Sequence, residues 1–340
     1  MKSITRLCLL LCIFACNAQD KNTFRNPLLS TGPDPWVSQL DGQYYYMHTM
    51  ADHLELWKTD NMARLKDAPH KTIWTPPATG PYAKDIWAPE IHFLRGKWYV
   101  YFAADNGDNQ THRIYVLENS SRDPMQGNWE IKGKVADSSD KWAIDASIFE
   151  HRNKLYMIWS GWEGDTNGEQ DIYIAEMKDP LTIAGPRVRI SRPFYDWEKH
   201  GELNDPNLPH VYVNEGPEML QHDGRLFIIY SASACWTDSY ALGMLVADSS
   251  SNLLDTASWK KSPKAMFLQS SAAGVYAPGH NSFFTTNGGK TSWILYHAND
   301  HPGDGCGTQR SPRMQQFTWD EQGMPVFGEP ISVNTALPIP

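Results

Sequence analysis

A polar opening, a short strand, a turn and an aromatic strand recur five times along the chain. The first copy runs from Gly32-Pro33-Asp34-Pro35-Trp36 through Asp41-Gly42 to Tyr44–Thr49. The second runs from Trp87-Ala88-Pro89-Glu90 through Arg95-Gly96 to Trp98–Phe102, and the third from Ala143-Ile144-Asp145-Ala146 through Arg152-Asn153 to Leu155–Ser160. The fourth runs from Glu215-Gly216-Pro217-Glu218 through Asp223-Gly224 to Leu226–Ser231, and the fifth from Ala277-Pro278-Gly279-His280 through Gly288-Gly289 to Trp293–His297. Apolar runs joined by a Gly- or Asn-bearing turn predict β-hairpins. The copies lie roughly 55 to 70 residues apart, which leaves room for two further strands in each. Arg113–Leu117, Asp171–Ala175 and Leu242–Ala247 supply third strands, and Trp57, Trp129, Trp259 and Trp319 fall where outer strands belong. Five four-stranded units without long helices predict an all-β fold, a five-bladed β-propeller. A many-stranded sandwich would not explain why every unit opens on the same turn and polar residue. No Gly-, Ser- or Pro-rich linker divides residues 21–340, so they are read as one domain, with the tail Leu337–Pro340 closing the ring.

Residues 1–20 stand apart. Lys2 and Arg6 precede the apolar run Leu7–Ala15, which is too short to span a bilayer and has the form of a secretory signal. Ile13-Phe14-Ala15-Cys16 resembles a bacterial lipobox, which implies export, lipidation at Cys16 and a periplasmic or outer-membrane-anchored protein; cleavage after Ala18 is the alternative. Three of the five cysteines lie in this leader. Cys235 and Cys306 have no metal-ligand spacing, and export leaves open a disulfide between them or two separate thiols. A net charge of −9 without a basic run argues against nucleic acid. The only membrane attachment expected is the lipid. Fourteen tryptophans suit either blade cores or platforms for sugar rings.

In a propeller the first strand of each blade lines the central channel, so the five openings converge. They bring Asp34, Glu90 (or Trp87 beside it), Asp145, Glu215 and His280 to one mouth. Taken singly, each polar side chain is explained by hydrogen bonds to blade backbone or water. Several carboxylates around one funnel repel one another, and Asp34, Asp145 and Glu215 together point to function. Glycoside hydrolysis needs one protonated carboxyl for the leaving oxygen and one ionised carboxylate for water. A third carboxylate raises the acid's pKa and orients it.

These openings, with Val213-Asn214-Glu215-Gly216-Pro217 and Pro278-Gly279-His280-Asn281-Ser282-Phe283, make the chain resemble glycoside hydrolase family 43 from about Asn26 to Pro330. The resemblance implies a five-bladed propeller and an inverting mechanism. Asp34 matches the general base, Asp145 the orienting carboxylate and pKa modulator, and Glu215 the general acid. No cofactor is implied for the chemistry. His280 matches a central-channel histidine that often lies near a structural calcium, directly or through water; a histidine bonded between blades is the alternative. Trp74-Thr75-Pro76-Pro77, Trp159-Ser160-Gly161-Trp162 and Tyr230-Ser231-Ala232-Ser233 resemble the branch of exo-acting α-L-arabinofuranosidases. Trp87 and Trp162 are candidate walls of the sugar pocket or else blade core, and Arg310 matches an arginine near the terminal-sugar subsite or else forms a salt bridge. The expected partner is an arabinose- or xylose-containing glycan. A β-xylosidase or xylanase, and a non-catalytic glycan-binding lipoprotein, are the other readings.

Overall fold

The computed structural model describes residues 22–201 and 211–340; the leader and Cys16 lie outside them. Five antiparallel blades follow in chain order. Their innermost strands are Trp36–Leu40, Lys84–Leu94, Ala143–His151, Tyr212–His222 and Tyr276–Thr286. Each pairs with the aromatic strand that follows, then with a third strand, and a short fourth strand lies outside. Arg113–Asn119, Glu169–Asp179 and Ala241–Asp248 are the third strands of blades 2, 3 and 4. Blades 3 and 4 are also linked by a short parallel pairing of Glu169 and Gln170 with Tyr212 and Val213.

The hairpin turns show why the repeats fold this way. Both central residues have positive φ in Asp41-Gly42, Arg95-Gly96, Arg152-Asn153 and Asp223-Gly224. Turns with this signature match the right-handed twist of the strands they join.

Successive side chains of a strand point to opposite faces, and here both faces of each blade are covered. In Lys97–Asp105, Trp98, Val100, Phe102 and Ala104 pack towards blade 1, whereas Tyr99, Tyr101 and Ala103 pack towards blade 3. The same arrangement produces five apolar seams, between blades 1 and 2, 2 and 3, 3 and 4, 4 and 5, and 5 and 1. The innermost strands touch their neighbours all the way round. The fifth seam therefore closes the ring by side-chain packing. It joins Phe284, Trp293, Leu295 and Met314 of blade 5 to Tyr44, Tyr46 and Trp57 of blade 1. The tail adds to that closure, because Leu337–Pro338 pairs with Thr23–Phe24 and Phe24 enters the seam. Truncating a buried seam residue such as Trp98 should cost about 3–5 kcal/mol. Among the described residues no helix is long and apolar enough to cross a membrane.

Candidate active site

The site is built by one backbone device used repeatedly. In blades 2 to 5 the innermost strand carries a bulge, with three residue steps opposite two on its partner. The flanking pairs are Trp87↔Ala103 and Glu90↔Tyr101, Ile144↔Ser160 and Ser147↔Ile158, Glu215↔Ser231 and Glu218↔Ile229, and Gly279↔His297 and Ser282↔Leu295. The residue that begins each bulge is left-handed: Ala88 (φ 43°), Asp145 (56°), Gly216 (53°) and His280 (47°). Asp34, just before the first strand of blade 1, has the same conformation (φ 56°). Non-glycine residues adopt this conformation at a cost, and bulges re-aim side chains beside active sites.

This register corrects the expectation of one shared slot. Asp34, Asp145 and His280 are equivalent, and Ala88 and Gly216 occupy that position in blades 2 and 4. Glu215 stands one residue earlier, level with Trp87. Gly216 meets two demands, because its φ is positive and a Cβ there would lie 3.1 Å from Nδ1 of His280. Glu90 is corrected as well. It lies two residues past the start of its bulge, level with Trp36, Ser147, Glu218 and Ser282, in a layer beneath the mouth. It is buried and bonded to Nε2 of His92 at 3.0 Å. Burial, reinforced by Glu218 and Asp145, pushes its carboxyl well up. His92 is pushed down to about 3 by burial and is therefore neutral.

A cavity of about 480 Å³ opens at the mouth, and every blade contributes to its lining. Its volume falls within the range of small-molecule sites. Asp34, Trp87, Asp145, Glu215, His280 and Arg310 all face it. Asp34 is held on every side. Oδ1 accepts from Nη1 of Arg310 at 2.9 Å and lies 3.3 Å from Nδ1 of His280; Oδ2 accepts from Thr49 Oγ1 at 2.7 Å. Its backbone N–H donates to Nδ1 of His297 at 3.0 Å. Burial alone would push the carboxyl up, but Arg310, His280, His297 and the Thr49 hydroxyl outweigh it and hold Asp34 well below the usual carboxylate range. Asp34 is ionised.

Glu215 is opposite in character. Burial pushes it up to about 7; the nearby charge of Asp34 adds to this, while the Tyr240 hydrogen bond and Arg310 oppose it. Asp145 is also raised well above its ordinary value, by burial and then by Glu215 and Asp34. Two buried carboxyls on adjacent blades cannot readily ionise together, so the pair retains a proton near neutral pH. Oδ2 of Asp145 accepts the backbone N–H of Gly216 at 3.0 Å, which ties it to the peptide next to Glu215. The cavity thus holds an ionised carboxylate on blade 1 and a protonatable pair on blades 3 and 4.

The two tryptophans separate. Trp87 lines the cavity and stacks on His112, with centroids 4.1 Å apart. Trp162 is 2% exposed, is not part of the lining, and stacks behind Trp142 at 4.6 Å and 8°; Trp142 is the wall. Cys235 and Cys306 are bonded and lie at the rim beside half-exposed Trp236. The motifs did not reveal Thr49, Tyr240 or His297. Thr49 lies just past the aromatic strand of blade 1, and His297 lies near the end of the aromatic strand of blade 5.

The histidine of the central channel does not find a calcium-ligand set around it. Calcium takes six to eight oxygens. Among the described residues no group of three or more His, Cys, Asp or Glu side chains is placed to hold a metal ion, and the Asp34 oxygens are committed to Arg310 and Thr49.

Comparison with known proteins agrees with this geometry. The family model of glycosyl hydrolases family 43 matches residues 24–325. An extracellular exo-α-(1→5)-L-arabinofuranosidase of Streptomyces avermitilis is 39% identical over 91% of this chain, which spans 64% of that protein's length. One from Streptomyces chartreusis is 39% identical over 82% of this chain and 83% of its own length. The crystal structure of an α-L-arabinofuranosidase from Lactobacillus brevis superposes with a TM-score of 0.84 at 34% identity, covering 92% of this chain and 98% of that one.

Proposed function

This chain belongs to glycosyl hydrolases family 43, and on that premise we propose that it is an inverting glycosidase releasing terminal α-L-arabinofuranose from arabinan-like polysaccharides or oligosaccharides. The observation that carries the reading is the difference between the two carboxyls in one cavity: Asp34 held ionised, Glu215 pushed up to about 7. Glu215 donates its proton to the glycosidic oxygen as the bond to the anomeric carbon breaks. Asp34 removes a proton from the water that attacks from the opposite face. Blade 5 lies between blades 1 and 4 on the short side of the ring, which favours room for that water. Asp145 orients the acid through Gly216 and repels charge on Glu215. Trp87 and Trp142 wall the sugar, and Arg310 and His280 border both Asp34 and the sugar. The names of the relatives support arabinofuranose as the sugar.

The chemistry needs no cofactor. A calcium ion in the channel would be structural and held through its water shell near His280 and Asn281, whose side-chain amide atoms have no hydrogen-bond partner among the described residues. The leader supports export and lipidation at Cys16, and the relatives are named extracellular. Initial rates on matched aryl α-L-arabinofuranoside and β-D-xyloside test the sugar, and the arabinoside should be cleaved at least ten-fold faster. The first product should be the β-anomer by proton NMR before mutarotation. Preference for the xyloside would overturn the substrate, and first release of the α-anomer would overturn inversion.

A further inference from the structure

One carboxyl oxygen of Glu215 is engaged by the protein. Oε1 accepts a hydrogen bond from the Tyr240 hydroxyl at 2.8 Å. The backbone N–H of His280 donates to Oγ of Ser231 at 2.8 Å, and Ser231 Oγ and the Tyr240 ring both border Gly279. Tyr240 donates its hydroxyl hydrogen to Glu215, which as a carboxylate can only accept. The ring has little freedom. Tyr240 is 1% exposed and lies parallel to His297 (6°, 5.8 Å between centroids). It fills the space a side chain at Gly279 would take, since a Cβ there would come within 2.1 Å of the ring. His297 is the same imidazole that accepts the backbone N–H of Asp34.

We infer that Tyr240 is a positioning residue for the general acid: its hydroxyl occupies Oε1 of Glu215 and leaves the transferable proton on Oε2. The inference rests on Glu215 being the acid. As the proton leaves, the bond from Tyr240 becomes one to a carboxylate, and such bonds are stronger than those to a neutral carboxyl. Tyr240 therefore helps the transition state more than the ground state. Its own ionisation lies far above neutral pH because of burial and Glu215, so it remains a donor. The titratable and charged groups facing Glu215 from the surrounding blades are Asp34 and Arg310, Asp145, His280 and Tyr240. Of these, only Tyr240 hydrogen-bonds the Glu215 carboxyl among the described residues.

Tyr240→Phe keeps the ring against His297 and beside Gly279 and removes only the hydroxyl. We expect kcat on an arabino-oligosaccharide, whose leaving group needs protonation, to fall about ten-fold or more. KM should change little, and an activated aryl arabinoside should lose much less. The alkaline limb of the profile should move upward, because the lost bond favoured the ionised acid. Carboxyl ¹³C NMR gives a readout independent of turnover: the resonance absent from Glu215→Gln should titrate at higher pH in Tyr240→Phe. Equal losses on the two substrates with an unmoved limb, or an unmoved carboxyl titration, would overturn the inference. Loss of all arabinosidase activity by the parent protein would instead overturn the proposed function, with the NMR titration still deciding the role of Tyr240.

Discussion

Replacing Arg310 with methionine separates its two readings, a charge that tunes Asp34 and a side chain that grips sugar. Methionine keeps much of the apolar stem and removes the guanidinium that donates to Oδ1 of Asp34 at 2.9 Å. An adjacent arginine lowers an aspartate's pKa by about 1–3 units. At ~1.4 kcal/mol per unit, the ionised Asp34 loses roughly 1.4–4 kcal/mol of stabilisation. It keeps His280, His297 and Thr49, so the shift should be partial. Arg310 also lowers Glu215, so both limbs of the pH dependence of kcat/KM should move upward together. The assay is kcat/KM for an aryl α-L-arabinofuranoside against pH, with Arg310→Lys as the charge-retaining comparison. Stability supplies a second readout. A carboxylate with a depressed folded pKa stabilises the fold above its unfolded pKa and ceases to do so as pH falls through its folded pKa. Arg310→Met should therefore be destabilised most at neutral pH and least in strong acid. An even fall in activity at every pH, with both limbs in place, would refute the electrostatic role and leave Arg310 as a sugar contact.

Glu215→Ala should abolish most turnover of oligosaccharides but spare part of that on activated aryl arabinosides, while Asp34→Ala fails on both; equal losses from Glu215→Ala would remove it as the acid. In the deeper layer, burial raises Glu218 and Glu90, so the native chain binds more protons than the unfolded chain and loses stability as pH rises above about 4–5. Glu218→Gln can still accept the Ser147 hydroxyl, and its Tm should decline less than that of the parent between pH 5 and 8; parallel Tm curves would contradict this. Dialysis against EDTA should leave kcat unchanged, and a rate lost without a change in Tm and recovered by added calcium would give the ion a chemical role. Mass spectrometry of the native amino terminus should find lipidated Cys16 as the first residue, whereas an unmodified Gln19 would show ordinary secretion.

The blades were legible because each one announces itself locally. A two-residue turn that needs two positive φ values limits what can stand there, and Asp-Gly, Arg-Gly and Arg-Asn mark four of the five hairpins. The aromatic strands that follow are apolar on successive residues, as a sheet covered on both faces requires, and this excludes a blade exposed on one side. The one-residue offset of Glu215 was not legible from the turn itself, since Asn-Glu-Gly-Pro and Gly-Pro-Asp-Pro read as the same punctuation. The prolines carried the answer. Proline is tolerated inside a sheet at a bulge, where no ladder hydrogen bond is required of it. Aligning Pro35, Pro89 and Pro217 puts Asp34, Ala88 and Gly216 together, and Trp36, Glu90 and Glu218 two residues further on. That alignment removes Glu90 from the mouth and places Glu215 beside Trp87, as the register shows.

What surrounds the carboxylates obeys a different rule. Thr49, Tyr240 and His297 reach the site from second strands or from the loops that follow them, and no spacing along the chain marks them. Tyr240 is 25 positions from Glu215 in sequence, yet its hydroxyl sits 2.8 Å from it because the blade folds back on itself. Trp162 failed as a sugar wall for the converse reason. Its motif places it beside the site, but an indole has two faces, and the one it offers is covered by Trp142. A motif fixes which backbone arrives at the channel; which side chain ends at its surface depends on the packing behind it. The three carboxylates escape this limit because backbone aims them into the cavity whatever packs behind: bulges at Asp145 and Glu215, and a left-handed residue before the first strand at Asp34. Their protonation states do not, since the ionised state of Asp34 depends on Arg310, 276 positions away, and on His280 and His297. Chemistry at this site is therefore set by side chains that meet only when blade 5 closes on blade 1.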